Sequence, residues 1–161
     1  MEMIIEKRAQ NSLKSRMEDL GFLYGEYAYD SKDWGNETWK TAKDFGINNE
    51  MEPDKIDEIM MEARCNYALS WDYVPSDTFD DQKQGYFRYQ ISWGGPSEEI
   101  RFYVDYGKKL YKAEWWFLDW FTGYGIPLKR KYLEIAEAIF NDFDDIGMVE
   151  SAYEESLEEE E

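Results

Sequence analysis

The chain has 161 residues, 36 acids against 18 bases for a formal net charge of -18, and a hydrophobic content of 43% of which many residues are aromatic. That apolar content excludes a wholly disordered chain and suffices for one ordinary domain with its own core. A charge of this sign repels nucleic acid and anionic membrane, so it excludes direct nucleic-acid binding and points to basic surfaces as partners.

No stretch approaches the ~18 consecutive apolar residues of a membrane span. A soluble, unexported, cytoplasmic protein without membrane contact is therefore expected. Histidine is absent and Cys65 is the sole cysteine. An internal disulfide is thereby excluded, and a zinc frame or a Cys/His nucleophile lacks its other members. Cys65 reads as a buried thiol.

Along the chain, Ile5, Ala9, Leu13 and Met17 recur every four residues between charges. This predicts an amphipathic helix from Glu2 to about Leu20, with Gly21 as its stop. Phe22 to Asn49 mixes glycines and aromatics with poor periodicity, apart from a short helix around Glu37 to Phe45. Pro53 suits a first helical position, and Ile56, Ile59, Met60, Ala63 and Tyr67 follow at helical spacing. Asp54, Asp57, Glu58 and Glu62 then face outward, although the like-charged Glu58/Glu62 pair costs a few tenths of a kcal/mol.

The centre is strand-like. Phe87, Tyr89, Ile91 and Trp93 alternate with Arg88, Gln90 and Ser92, and after the turn Gly94–Ser97 the residues Ile100, Phe102 and Val104 alternate with Arg101, Tyr103 and Asp105. With a third run from Leu110 to about Leu118, these predict an antiparallel meander of three strands or slightly more. Gly123, Gly125 and Pro127 break the chain before a helix near Leu128, whose apolar side is Leu133, Ala136, Ile139, Phe140 and Phe143. Lys129, Arg130 and Lys131 in its first turn oppose the helix dipole. Gly147 interrupts it, and Val149, Tyr153 and Leu157 form a stripe on which a last helix could dock. The expected architecture is thus α+β: one globular domain over residues 1–157, three to five helices on the meander, and a frayed acidic end at 158–161.

The charge is unevenly placed. Residues 1–49 carry 9 acids and 7 bases, residues 50–81 carry 10 and 2, residues 82–131 carry 5 and 9, and residues 132–161 carry 12 and none. Two acidic blocks flank a mildly basic aromatic centre. If helical throughout, the last block would place a charge every ~3.8 Å of axis, close to the ~3.4 Å between phosphates of one DNA strand.

Chemistry is poorly signalled. There is no phosphate-binding GxxxxGK[ST] loop, no GxSxG turn and no cysteine cluster, so neither a cofactor nor a metal is expected. Asp105, Glu114 and Asp119 are the candidates for a carboxylate-only site, with cross-strand ion pairing and turn formation as their simpler roles. The run NDFDDIG at 141–147 lacks the alternating ligands of a calcium loop. Arg88, Arg101, Lys108, Lys109 and Lys112 on an aromatic sheet could hold single-stranded nucleic acid, but net charge opposes it, and they are expected to bind the protein's own acidic helices or to solvate the sheet's outer face.

In size, acidity and a Glu-rich end, the chain resembles small phage- or plasmid-encoded DNA-mimic proteins, which inhibit restriction enzymes, CRISPR effectors or other DNA-binding proteins. GYFRYQISWGGPSEEIRFYVDYG and AEWWFLDWFTG, at 85–107 and 113–123, also resemble a segment of uncharacterised mobile-element proteins. The first resemblance implies a non-enzymatic inhibitor whose Asp57, Glu58, Glu62, Asp142, Asp144, Asp145, Glu150, Glu154 and Glu155 bind the nucleic-acid-binding surface of a basic protein, such as a host defence nuclease. The alternative is an immunity or adaptor module that binds through exposed Trp34, Trp39, Trp115, Trp116 or Trp120.

Overall fold

The computed structural model describes residues 2–25 and 30–159. Its elements are α1 (Glu2–Tyr24), a 3-10 turn (Ser31–Asp33), α2 (Asn36–Asp44), α3 (Pro53–Asn66), β1 (Ser70–Val74), β2 (Tyr86–Ser92), β3 (Ser97–Val104), β4 (Leu110–Asp119), β5 (Thr122–Pro127), α4 (Lys131–Asp145) and α5 (Met148–Glu159). The strands form one antiparallel sheet in the order β1-β2-β3-β4-β5.

The alternation in the sequence sets the two faces of this sheet. Phe87 pairs with Phe102 and that with Ala113, while Tyr89 pairs with Ile100 and that with Trp115. All six are buried against α1, α4 and α5, together with Leu13, Met17, Leu20 and Phe140. The intervening positions Arg88, Arg101 and Glu114, also in register, face the other way. Trp115 supplies the largest fully buried side chain, and its indole N–H donates to Ser12 Oγ at 3.1 Å, so the polar atom of the ring is satisfied.

The meander has two strands more than the central three. β1 is short and adjoins the helical stripe of α3, which hides it in the pattern; Trp71 and Tyr73 pack inward, while Asp72 pairs outward with Arg88. β5 runs through Gly123 and Gly125, where glycine normally argues against a strand. The reason for glycine is packing. A Cβ on Gly125 would lie 2.5 Å from Trp116 Cε2, and one on Gly123 would lie 2.7 Å from Leu118 Cδ2, so the β4 side chains occupy the space.

Gly21 likewise does not stop α1. It sits where α1 crosses α4, and a Cβ there would be 3.3 Å from Ile135 Cδ1; the helix continues to Tyr24. Beyond this crossing Phe22 and Leu23 join Trp34, Ala42, Ile47, Ile56 and Met60 in a second cluster, which holds α2 and α3. A polar chain links these parts: Arg16 Nη2 donates to Glu98 Oε1 at 2.8 Å, and Tyr67 Oη donates to Asp19 Oδ2 at 2.7 Å.

The C-terminal segment is docked. α4 buries Ile135, Ala136, Ile139 and Phe140, and Phe143 stacks on Trp71 at 4.2 Å between centroids. Gly147, at φ 82, turns the chain into α5, where Val149, Ala152 and Ser156 are buried. Tyr153 packs beside them on Tyr73, so the helix docks through the first two residues of the predicted stripe together with Ala152 and Ser156, and Leu157 is 47% exposed. The helix extends to Glu159, and Glu160 and Glu161 lie outside the described residues. Cys65 is exposed, which corrects its reading as a buried thiol: it lies on the outward side of α3, away from Ile56 and Met60.

Candidate functional site

Each of the nine carboxylates picked out in the sequence is exposed. They divide between two packing units. Asp57, Glu58 and Glu62 lie on α3, held by the second cluster, while Asp142, Asp144 and Asp145 close α4 and Glu150, Glu154 and Glu155 follow on α5.

The α4–α5 group is the denser one. Counting Glu134, Glu137, Glu158 and Glu159, ten acids of these two helices are exposed. Among the described residues one of the ten has an ion pair, Glu150, which accepts from Lys108 Nζ at 2.6 Å. On α3, Glu58 stands 3.8 Å from Lys55, with both side chains mostly in water. The acids do not form one evenly charged rod, because Gly147 divides the segment and three of them crowd into the last turn of α4. NDFDDIG is therefore a helix end with its αL glycine, and no cation-binding loop.

That placement opposes the helix dipole at both ends. Asp142, Asp144 and Asp145 sit beside the carbonyl end of α4, which has no basic residue in its last turn, while Lys131 opens it after Lys129 and Arg130. Each such misplacement costs about 0.3–1 kcal/mol when exposed. The field of Asp142 reaches the core: Tyr24 is pushed up to about 12, first by burial and then by this carboxylate.

The sheet's outer face, in contrast, neutralises itself. Arg88 makes a two-pronged contact with Asp72, at 2.9 and 2.6 Å, and Arg101 Nε donates to Glu99 Oε2 at 2.8 Å. The Arg101 guanidinium lies 4.1 Å from the ring centroid of Trp116 and 4.6 Å from that of Tyr86, so two rings flank one cation. Lys112 stands over Tyr103 and 4.0 Å from Glu114. Arg88, Arg101 and Lys112 thus pair with acids of the sheet and not with the acidic helices expected for them, whereas Lys108 does reach one, at Glu150 of α5.

Asp105, Glu114 and Asp119 do not converge. Asp105 accepts from the N–H groups of Gly107 and Lys109 in the β3–β4 turn. Glu114 accepts from Tyr103 Oη and Trp116 Nε1, and Asp119 pairs with Arg8 at the far end of β4. No cluster of three or more Cys, Asp and Glu suited to a metal ion occurs among the described residues. A groove of about 1110 Å³ lies between α1, α2 and the start of α4, where Lys14, Lys40 and Lys131 stand among Glu18, Glu37, Asp44 and Glu134.

The proposed aromatic anchors are mostly core. Trp34 and Trp115 are buried, Trp39 packs in the second cluster and Trp116 covers the β5 glycines. Trp120 is 92% exposed. Trp93 and Phe121 are also exposed, and strand alternation misassigned Trp93, because β2 ends at Ser92 and leaves it in the turn.

No protein-family model matches the chain, and no curated protein or solved structure matches it. No helix of the described residues is long and apolar enough to cross a membrane.

Proposed function

We propose that the protein is a non-catalytic inhibitor that occupies the phosphate-binding surface of a basic nucleic-acid-binding protein, as a DNA mimic, through the carboxylates of α4 and α5. One observation carries this reading: ten exposed acids stand on two docked helices with a single internal cation, three of them where the α4 dipole disfavours them. Carboxylates fixed by a buried helix face avoid part of the ordering cost that a flexible tail pays on binding. The acids of α3 extend the same charge but belong to another packing unit. Of the five tryptophans of a competing interaction module, Trp34 and Trp115 are buried, Trp39 and Trp116 half-buried and Trp120 exposed, which favours the carboxylate reading.

The test is a pull-down from a bacterial lysate with the intact chain as bait, eluted in rising salt and then, separately, with duplex DNA. Recovery of DNA-binding proteins that DNA displaces, and that a variant carrying D142K, D144K, D145K, E150K, E154K and E155K no longer retains, supports the reading. Binding unaffected by salt or by those six reversals removes it.

A further inference from the structure

Little apolar surface holds α5 to the fold. Its buried side consists of Val149, Ala152 and Ser156, and Tyr153 adds a half-buried ring set edge-on to Tyr73 at 5.2 Å between centroids. The Ser156 hydroxyl donates to the carbonyl of Tyr153 within the helix itself, while Met148 and Leu157 are exposed. At the start of α5 the Trp71 indole N–H donates to the Met148 carbonyl at 3.1 Å. α4, by contrast, buries Ile135, Ala136, Ile139 and Phe140.

Against this hold stand charges of one sign. α5 carries Glu150, Glu154, Glu155, Glu158 and Glu159 and no base. Glu150/Glu154, Glu154/Glu158 and Glu155/Glu159 are like-charged pairs four residues apart, and Glu158 and Glu159 lie in the last turn, where the helix dipole disfavours acids. The docking surface adds to the repulsion, because α5 packs on β1 and on α4, whose last turn carries Asp142, Asp144 and Asp145. Among the described residues Lys108 alone pairs with an acid of α5, and it holds the first turn only.

The joint between the helices is free to move. Gly147 has φ 82, and nothing lies within 4 Å of the place a Cβ would take, so no packed neighbour fixes the turn. We propose that α5 is a strap that opens at Gly147 ahead of the rest of the fold, and that dissolved ions close it by screening its carboxylates from one another and from those of α4. At about 10 mM salt the Debye length of ~30 Å exceeds the ~18 Å length of the helix, so all its acids repel; at about 1 M the length is ~3 Å and that repulsion is largely gone. Opening uncovers the Tyr73 ring and the Trp71 N–H. Closing sets the five acids of α5 beside the three at the end of α4, so ions that gather at this surface also assemble it. The inference concerns the helix and holds whether or not its acids meet a basic protein.

Amide hydrogen exchange of the full chain, followed by NMR and corrected for the unfolded chain at the same salt, tests it. At about 10 mM NaCl the amides of Ala152, Tyr153 and Ser156 should exchange at least about tenfold faster than those of β3, and about 1 M NaCl should slow them at least about fivefold relative to β3. The double variant E154Q/E158Q, which removes two of the three like-charged pairs and leaves the buried side untouched, should show the slow rate already at low salt. D57N/E62Q removes the same charge from α3 and should leave α5 as it is. Exchange of α5 in step with β3 overturns the proposal. So does fast exchange without a salt response, which is ordinary fraying, or an equal slowing by D57N/E62Q, which is an effect of net charge.

Discussion

Lys108 Nζ donates to Glu150 Oε2 at 2.6 Å and stands 4.6 Å from the Tyr153 ring centroid, so one turn of the sheet holds a single cation against the acidic α5. What docks α5 is the burial of Val149, Ala152 and Ser156, and the ion pair adds to it at the margin of solvent. Lys108→Met should therefore lower stability by no more than about 1 kcal/mol, as for other exposed pairs. It should also release Glu150 and tighten binding to a basic target. Thermal unfolding and calorimetric titration measure the two effects.

The last turn of α4 should show the opposite balance. Asp144→Asn and Asp145→Asn each remove a negative charge from the carbonyl end of the helix, so each should raise stability by about 0.3–1 kcal/mol at low salt. The same changes should weaken binding to a basic target. A rise in melting temperature without loss of binding would mean that these acids serve no partner.

Gly125 is fixed by the indole above it. Ala at this position places Cβ 2.5 Å from Trp116 Cε2, and either the ring leaves Arg101 or β5 moves off β4. The expected cost is about 1–3 kcal/mol, as for other overpacked sites. Urea unfolding gives the magnitude, and tryptophan fluorescence reports whether the Trp116 environment changes.

Alkaline titration should expose the buried phenols. Tyr24 is held at about 12 by burial and by Asp142, and Tyr67, Tyr86, Tyr89 and Tyr103 are raised chiefly by burial. In the unfolded chain these groups ionise near pH 10. Since the folded values lie higher, the native state binds more protons above that pH, and stability falls as pH rises toward the folded values. Phenolate absorbance should show part of the tyrosine titrating only with cooperative unfolding. Asp142→Asn should let Tyr24 ionise at lower pH.

The sequence by itself determined the local elements whose pattern is carried by their own residues. The two-residue alternation of Phe87, Tyr89, Ile100 and Phe102 fixes two strands and their buried face, Pro53 with Ile56 and Met60 fixes α3, and the acid count of α4 and α5 needs no coordinates. Tertiary structure decided what depends on a neighbour. The glycines at 21, 123 and 125 look like breaks, but Ile135, Leu118 and Trp116 occupy the places where their side chains would be. On α5 the predicted Val149 and Tyr153 do pack, Tyr153 against Tyr73, but Ala152 and Ser156 complete the buried side and Leu157 is exposed, because the helix is seated by the surface of β1 and α4. Exposure of a tryptophan is likewise set by what covers it: Trp115 lies beneath α1, while Trp93 and Trp120 stand in turns where no described residue buries them.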